Sequence, residues 1–184
     1  MKVIETKLQG CLIIHPDVHG DNRGFFLETY QEERYAEYGI KYKFVQDNRS
    51  RSSFGVLRGL HFQKTRPQGK LVSITRGEVF DVAVDLRPES KTFGEYVGVV
   101  LSEENNTQLF VPPGFAHGFC VLSELADFSY KCTDYYSPSD EGGIIWNDPI
   151  INIEWPIKDP NLSEKDRLLP TFDDVKCNIL GEKK

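Results

Sequence analysis

Apolar and polar residues alternate over short runs through much of this chain, and the cleanest run is Glu78 to Leu86. In an extended segment Phe80, Val82, Val84 and Leu86 share one face, while Val79, Asp81, Ala83 and Asp85 share the other. One face is oily and the other mixed. Strand-like runs of similar length occupy Cys11 to His15, Gly24 to Thr29, Lys43 to Gln46, Gly55 to Phe62, Lys70 to Thr75, Tyr96 to Leu101, Gln108 to Val111, His117 to Leu122 and Asp127 to Thr133. Turn-forming residues separate them, as in Thr65-Arg66-Pro67-Gln68-Gly69, Arg87-Pro88-Glu89-Ser90 and Glu103-Glu104-Asn105-Asn106. Helix is predicted over Gln31 to Tyr38 and as a short turn from Ser163 to Leu169, capped by Ser163. Many short strands with few helices and no βαβ alternation predict an all-β fold. The expected architecture is a jelly roll or related barrel with a few short flanking helices, able to hold one ligand inside. The turn-rich region after Thr133 is expected to wrap the barrel, anchored by Trp146 and Trp155.

At 184 residues and 39% hydrophobic content, the chain suits one domain, residues 1–184, with a real core. A formal net charge of −6 argues against a nucleic-acid polymer or a membrane surface as partner, since both call for a basic field. Any anionic ligand must then be met by a local basic cluster. The opening MKVIETKLQG has no signal-peptide apolar core, and no apolar run reaches the roughly 20 residues of a membrane helix. A soluble cytoplasmic protein is expected. Cys11, Cys120, Cys132 and Cys177 form no C-x-x-C pair and have no histidine at zinc-ligand spacing; the first three read as small buried hydrophobes.

Candidate chemistry concentrates in Gln46 to Gln63, QDNRSRSSFGVLRGLHFQ, where Arg58 and His61 project from a strand-like segment. Ionisable groups on a sheet face are costly to bury unless something charged meets them, so this face is expected to line a polar pocket for an anion, with His61 available for proton transfer. Arg58 and His61 have opposite parity, and a bulge at Gly59 is needed for both to face one pocket. A second constellation, Val111-Pro112-Pro113-Gly114-Phe115-Ala116-His117, resembles the second motif of the cupin superfamily, whose jelly rolls often hold a metal. The first cupin motif is incomplete here, because phenylalanine and glutamine follow His61; no metal is expected. Taken singly, Tyr130 reads as well as a packed ring, Lys70 as a solvated cation, and Asp166 as a first-turn carboxylate.

Together these segments resemble the dTDP-4-dehydrorhamnose 3,5-epimerase family, which has a cupin-type jelly roll. The likeness runs from about Leu12 to Asp166. It passes through Asp21-Asn22-Arg23-Gly24-Phe25-Phe26-Leu27-Glu28, the Gln46–Gln63 segment, Pro67-Gln68-Gly69-Lys70, Asp81 to Arg87, PPGFAHGF, Tyr130 to Thr133 and Asn147-Asp148-Pro149. The resemblance implies proton transfer beside the ketone of a dTDP-linked 4-keto-6-deoxyhexose, without cofactor, in a homodimer. It further implies His61 as base oriented by Asp166, Tyr130 as acid and Lys70 as stabiliser of the enolate oxygen. Arg23, Glu28, Gln46, Asn48, Arg58, His117 and Glu141 are implied as substrate contacts, the arginines suiting the diphosphate. A relative inverting one centre, a metal-dependent cupin enzyme and a non-catalytic sugar-nucleotide binder stay open as alternatives. His15 and His19 are read as structural.

Overall fold

In the computed structural model, which describes residues 1–180, the alternating runs pair into two antiparallel sheets. The first has the order β1 (Lys2–Glu5), β2 (Leu12–His15), β10 (Gln108–Val111), β7 (Lys70–Arg76), β12 (Leu125–Cys132), β5 (Gln46–Ser53). The second has the order β13 (Glu141–Gly143), β6 (Leu57–Gln63), β11 (Phe115–Val121), β8 (Glu78–Asp85), β9 (Tyr96–Ser102). β3 (Val18–Asp21) and β4 (Gly24–Leu27) form a separate hairpin. The expected all-β jelly roll is therefore present. Side chains from both sheets meet in one core, with Val72, Leu109, Ala126 and Phe128 from the first and Val79, Ala83, Leu101 and Phe119 from the second. Burial of such surface at about 25 cal/mol per Å² is the main force holding the sheets together.

The two faces of β8 reverse the simplest reading of amphipathicity. Its mixed face, with Val79, Asp81 and Ala83, looks into the space between the sheets. Its oily face, with Phe80, Val82, Val84 and the following Leu86, packs outward under the C-terminal wrap against Ile144, Ile151, Phe172 and Val175. Trp155 meets Phe80 edge-on at 5.9 Å and its Nε1 donates to the Trp146 carbonyl at 2.7 Å, so the wrap is pinned as expected, although Trp146 contributes its backbone to that bond.

Several elements differ from the sequence expectation. Residues 43–45 lie outside regular structure, and the strand begins where that run was expected to end, at Gln46. β5 contains no apolar residue, yet it pairs with β12 from Gln46↔Cys132 to Ser53↔Leu125. Its ladder, not its hydropathy, makes it a strand. β1, β3 and β13 are three or four residues long and carry too little pattern to be read. Helix α1 (Glu32–Glu37) starts at a Gln31 side-chain cap and α2 (Glu164–Arg167) at a Ser163 cap, whose Oγ accepts from Asp166 N at 3.1 Å. α3 (Phe172–Leu180) was not anticipated; Asp148 accepts Phe172 N at 2.7 Å and seats its start. Cys11, Cys120 and Cys132 are buried, and burial pushes the thiols of Cys11 and Cys120 up to about 12 and about 11. Among the described residues no helix is long and apolar enough to cross a membrane.

Candidate active site

A cavity of about 480 Å³ opens between the sheets, and His61, Lys70, His117, Tyr130, Arg58 and Asp166 all line it. The strands dictate this convergence. Tyr130 pairs with Val72 and Cys132 with Lys70, so Tyr130 and Lys70 share the inward face of neighbouring strands β12 and β7. His61 and His117 are direct partners on β6 and β11 in the other sheet.

The parity conflict between Arg58 and His61 is resolved by a bulge. His117 pairs with His61 but Phe119 pairs with Arg58, so β6 spends three residues where β11 spends two. Gly59 lies within that step at φ +116°, a region that favours glycine. A Cβ on Gly59 would sit 2.6 Å from Gly118 Cα and 2.8 Å from the His117 carbonyl oxygen, so two backbones cross here at a distance only glycine allows. The Gly59–Leu60 peptide is cis.

His61 Nε2 lies 2.6 Å from Asp166 Oδ1. Burial raises the Asp166 pKa, but the His61 hydrogen bond, the His61 charge and the Ser163 cap outweigh it, and the net shift is downward. Asp166 thus stays an anion that holds the ring. His117 Nε2 is 2.9 Å from Asp81 Oδ1, and burial lowers the His117 pKa despite the Asp81 charge. Burial also lowers the pKa of Lys70 and, seconded by Cys132, raises that of Tyr130 against the pull of Arg58. Tyr130 is accordingly a protonated phenol at neutral pH. Arg58 donates Nε to Ser52 Oγ at 3.1 Å, and its two terminal nitrogens have no partner among the described residues.

Other expected contacts lie elsewhere in the single chain. Arg23 sits at the β3–β4 turn, 84% exposed and ion-paired to Asp21, while Glu28 pairs with Arg34 at 3.1 Å; neither lines the cavity. Gln46 and Asn48 project from β5 on the same face as Tyr130, with Asn48 opposite Tyr130 in register, but their amides bond each other at 3.0 Å outside the cavity wall. Glu141 accepts from Tyr136 Oη at 2.7 Å and from Lys165 Nζ, and borders a neighbouring groove of about 700 Å³ whose wall shares Lys165 with the cavity. His15 Nδ1 is 3.1 Å from Thr107 Oγ1, and His19 lies on the exposed hairpin.

Among the cavity residues that sequence reading did not single out are Ser50, Phe119, Phe128, Asn161 and Lys165, and it also passed over the buried Asp81 behind His117. Asp81 had a signal, since it stands alone among Val79, Phe80, Val82, Ala83 and Val84 in the middle of β8. Among the described residues no group of three or more His, Cys, Asp or Glu side chains is arranged to hold a metal ion. The arrangement can move protons: a histidine backed by a carboxylate on one wall, a phenol on the other, and an ammonium beside the phenol.

A family model for dTDP-4-dehydrorhamnose 3,5-epimerase matches residues 5–174. The dTDP-4-dehydrorhamnose 3,5-epimerase of Salmonella typhimurium is 57% identical over 176 residues, covering 94% of this chain and 96% of the relative. A Legionella pneumophila dTDP-6-deoxy-D-glucose-3,5-epimerase, solved in complex with dTDP-4-keto-L-rhamnose, superposes with a TM-score of 0.93 at 52% identity, covering 97% of this chain and 96% of the other. The Bacillus anthracis dTDP-4-dehydrorhamnose 3,5-epimerase, solved with TDP and PPi bound, gives a TM-score of 0.91 at 46% identity over 93% of this chain and 99% of the other. With its jelly roll, its convergent site and these likenesses along nearly its whole length, the chain belongs to the dTDP-4-dehydrorhamnose 3,5-epimerase family.

Proposed function

We propose that the protein inverts carbons 3 and 5 of dTDP-4-dehydro-6-deoxy-D-glucose to give dTDP-4-dehydro-L-rhamnose, the 3,5-epimerisation for which its family is described. The observation that carries this reading is the His61–Asp166 pair at 2.6 Å on one wall of a cavity whose facing sheet supplies Tyr130. With Asp166 accepting from Nε2–H, the Nδ1 lone pair of His61 is the base. It removes the proton from a carbon beside the ketone, and the C–H electron pair moves into an enolate. Lys70 stabilises the charge on the enolate oxygen. Tyr130 Oη then protonates the carbon from the opposite side, which inverts the centre and leaves a tyrosinate and an imidazolium that reset through solvent. Electrons balance without an oxidant or reductant. The unpartnered nitrogens of Arg58 suit the diphosphate.

The active form in this proposal is a homodimer. The β3–β4 hairpin exposes Phe25 at 65% and Phe26 at 69%, and it carries Arg23, with Glu28 just beyond. Neither of these two lines its own chain's cavity, so the substrate contacts implied for them require the cavity of a second copy. Light scattering on the purified protein checks this, and a fully active monomer would remove Arg23 and Glu28 from the substrate contacts.

The activity itself is tested by incubating the protein with dTDP-4-dehydro-6-deoxy-D-glucose in deuterium oxide and following both carbons beside the ketone by NMR. Exchange at both is expected. Exchange at one restricts the protein to a single centre, and exchange at neither refutes the epimerase reading.

A further inference from the structure

His117 is held at the cavity by a second carboxylate that the proposed proton transfers do not use. Its Nε2 lies 2.9 and 3.1 Å from the two oxygens of Asp81, which is fully buried on β8 and accepts no other hydrogen bond among the described residues. A buried carboxylate with one donor partner requires the hydrogen to be on that nitrogen. The other ring nitrogen has no protein partner, yet among the described residues no buried side-chain nitrogen or oxygen lacks one. Since His117 lines the cavity, its Nδ1 opens into it.

We propose that Asp81 is a positioning residue that fixes His117 in the Nε2–H tautomer, so that the Nδ1 lone pair accepts a hydrogen bond from a hydroxyl of the bound sugar. This rests on the sugar-nucleotide reading of the cavity. The neutral ring is favoured by burial and by the nearby Lys70 ammonium on β7, seconded by His61 on β6 whenever that ring carries the abstracted proton; these oppose the pull of Asp81. A lone pair cannot bond a ketone oxygen, so His117 and Lys70 sort the sugar's polar groups: the hydroxyl donor goes to His117 and the carbonyl acceptor to Lys70. A sugar presenting a carbonyl or no hydroxyl at His117 would leave that nitrogen buried and unmatched, which is how a polar site rejects the wrong analogue.

The test is nitrogen NMR of the full chain labelled with ¹⁵N-histidine, with the His117 signals assigned by their loss in His117→Gln. At neutral pH the expected pattern for His117 is a protonated Nε2 and an unprotonated Nδ1; a proton on Nδ1, or on both nitrogens, would overturn the proposal. This readout needs no turnover, so it can fail while the epimerase reading stands, and the reverse. In Asp81→Asn the amide accepts from or donates to Nε2, so an Nδ1–H population should appear, and KM should rise about fivefold or more with kcat held within about threefold, because an interaction made equally in ground and transition states is weakened. A pure Nε2–H ring and an unchanged KM in that variant would deny Asp81 the positioning role.

Discussion

Replacing Gly59 with alanine places a methyl group 2.6 Å from Gly118 Cα and 2.8 Å from the His117 carbonyl oxygen, both of them backbone atoms that no rotamer change can move. Two costs add. Holding a non-glycine residue at φ +116° costs about 1–3 kcal/mol, and the overpacking costs about another 1–3 kcal/mol. The sum, about 2–6 kcal/mol, is a large part of the 5–15 kcal/mol typical of a folded domain. Gly55 is the internal control: it sits at φ +76° with nothing within 4 Å of its Cβ position, so Gly55→Ala carries only the backbone cost of about 1–2 kcal/mol. Urea unfolding of the two variants and the parent, followed by tryptophan fluorescence, measures the difference. Deuterium exchange into the substrate, measured on folded Gly59→Ala, should fall at least about tenfold, because a bulge forced out of shape moves His61 relative to Arg58. If Gly59→Ala is no less stable than Gly55→Ala, the close crossing of β6 and β11 does not constrain the site, and the reasoning fails.

His61→Ala is expected to lose at least about 100-fold in exchange while still binding dTDP, since the base is removed and Arg58 is not; calorimetric titration with dTDP and exchange at both carbons check it, and retained exchange assigns the base elsewhere. Tyr130→Phe should keep deuterium exchange through His61 yet lose inversion about 100-fold, because the acid on the opposite wall is gone; equal loss of both would place Tyr130 outside the reprotonation step. Asp85 is buried, which raises its pKa, but bonds from Arg87, Ser90 and Thr92 outweigh this and lower it to about 2. A carboxylate with a depressed folded-state pKa adds stability above its ordinary value that is lost as pH falls through the folded value. The stability gap between the parent and Asp85→Asn should therefore narrow by about 1–2 kcal/mol between about pH 5 and about pH 2.5, and a constant gap in urea titrations would contradict the assignment.

Much of the fold was legible because β7, β8, β9 and β12 are short runs rich in apolar and β-branched residues between turn-forming segments, and because Ser163 and Gln31 cap their helices by local chemistry. β5 was illegible for the same physical reason. Its inward face, Gln46, Asn48, Ser50 and Ser52, meets a polar cavity and its surroundings, so no apolar period exists to be read. The start of α3 depends on Asp148, twenty-four residues earlier, and no local window contains that bond.

The residue types for proton transfer and anion binding, the motifs that place the chain in its family, and the demand for an irregularity at Gly59 were all determined by the sequence. Covalent order and local periodicity suffice for those. Tertiary structure alone decided that the mixed face of β8 looks inward, that Asp81 backs His117, and that Arg23 stands away from the cavity of its own chain. These are a pairing between residues 36 positions apart, a choice between two faces of one strand, and the placing of a hairpin. They are set by which sheets pack together and by the register at which they meet, and a one-dimensional pattern carries neither.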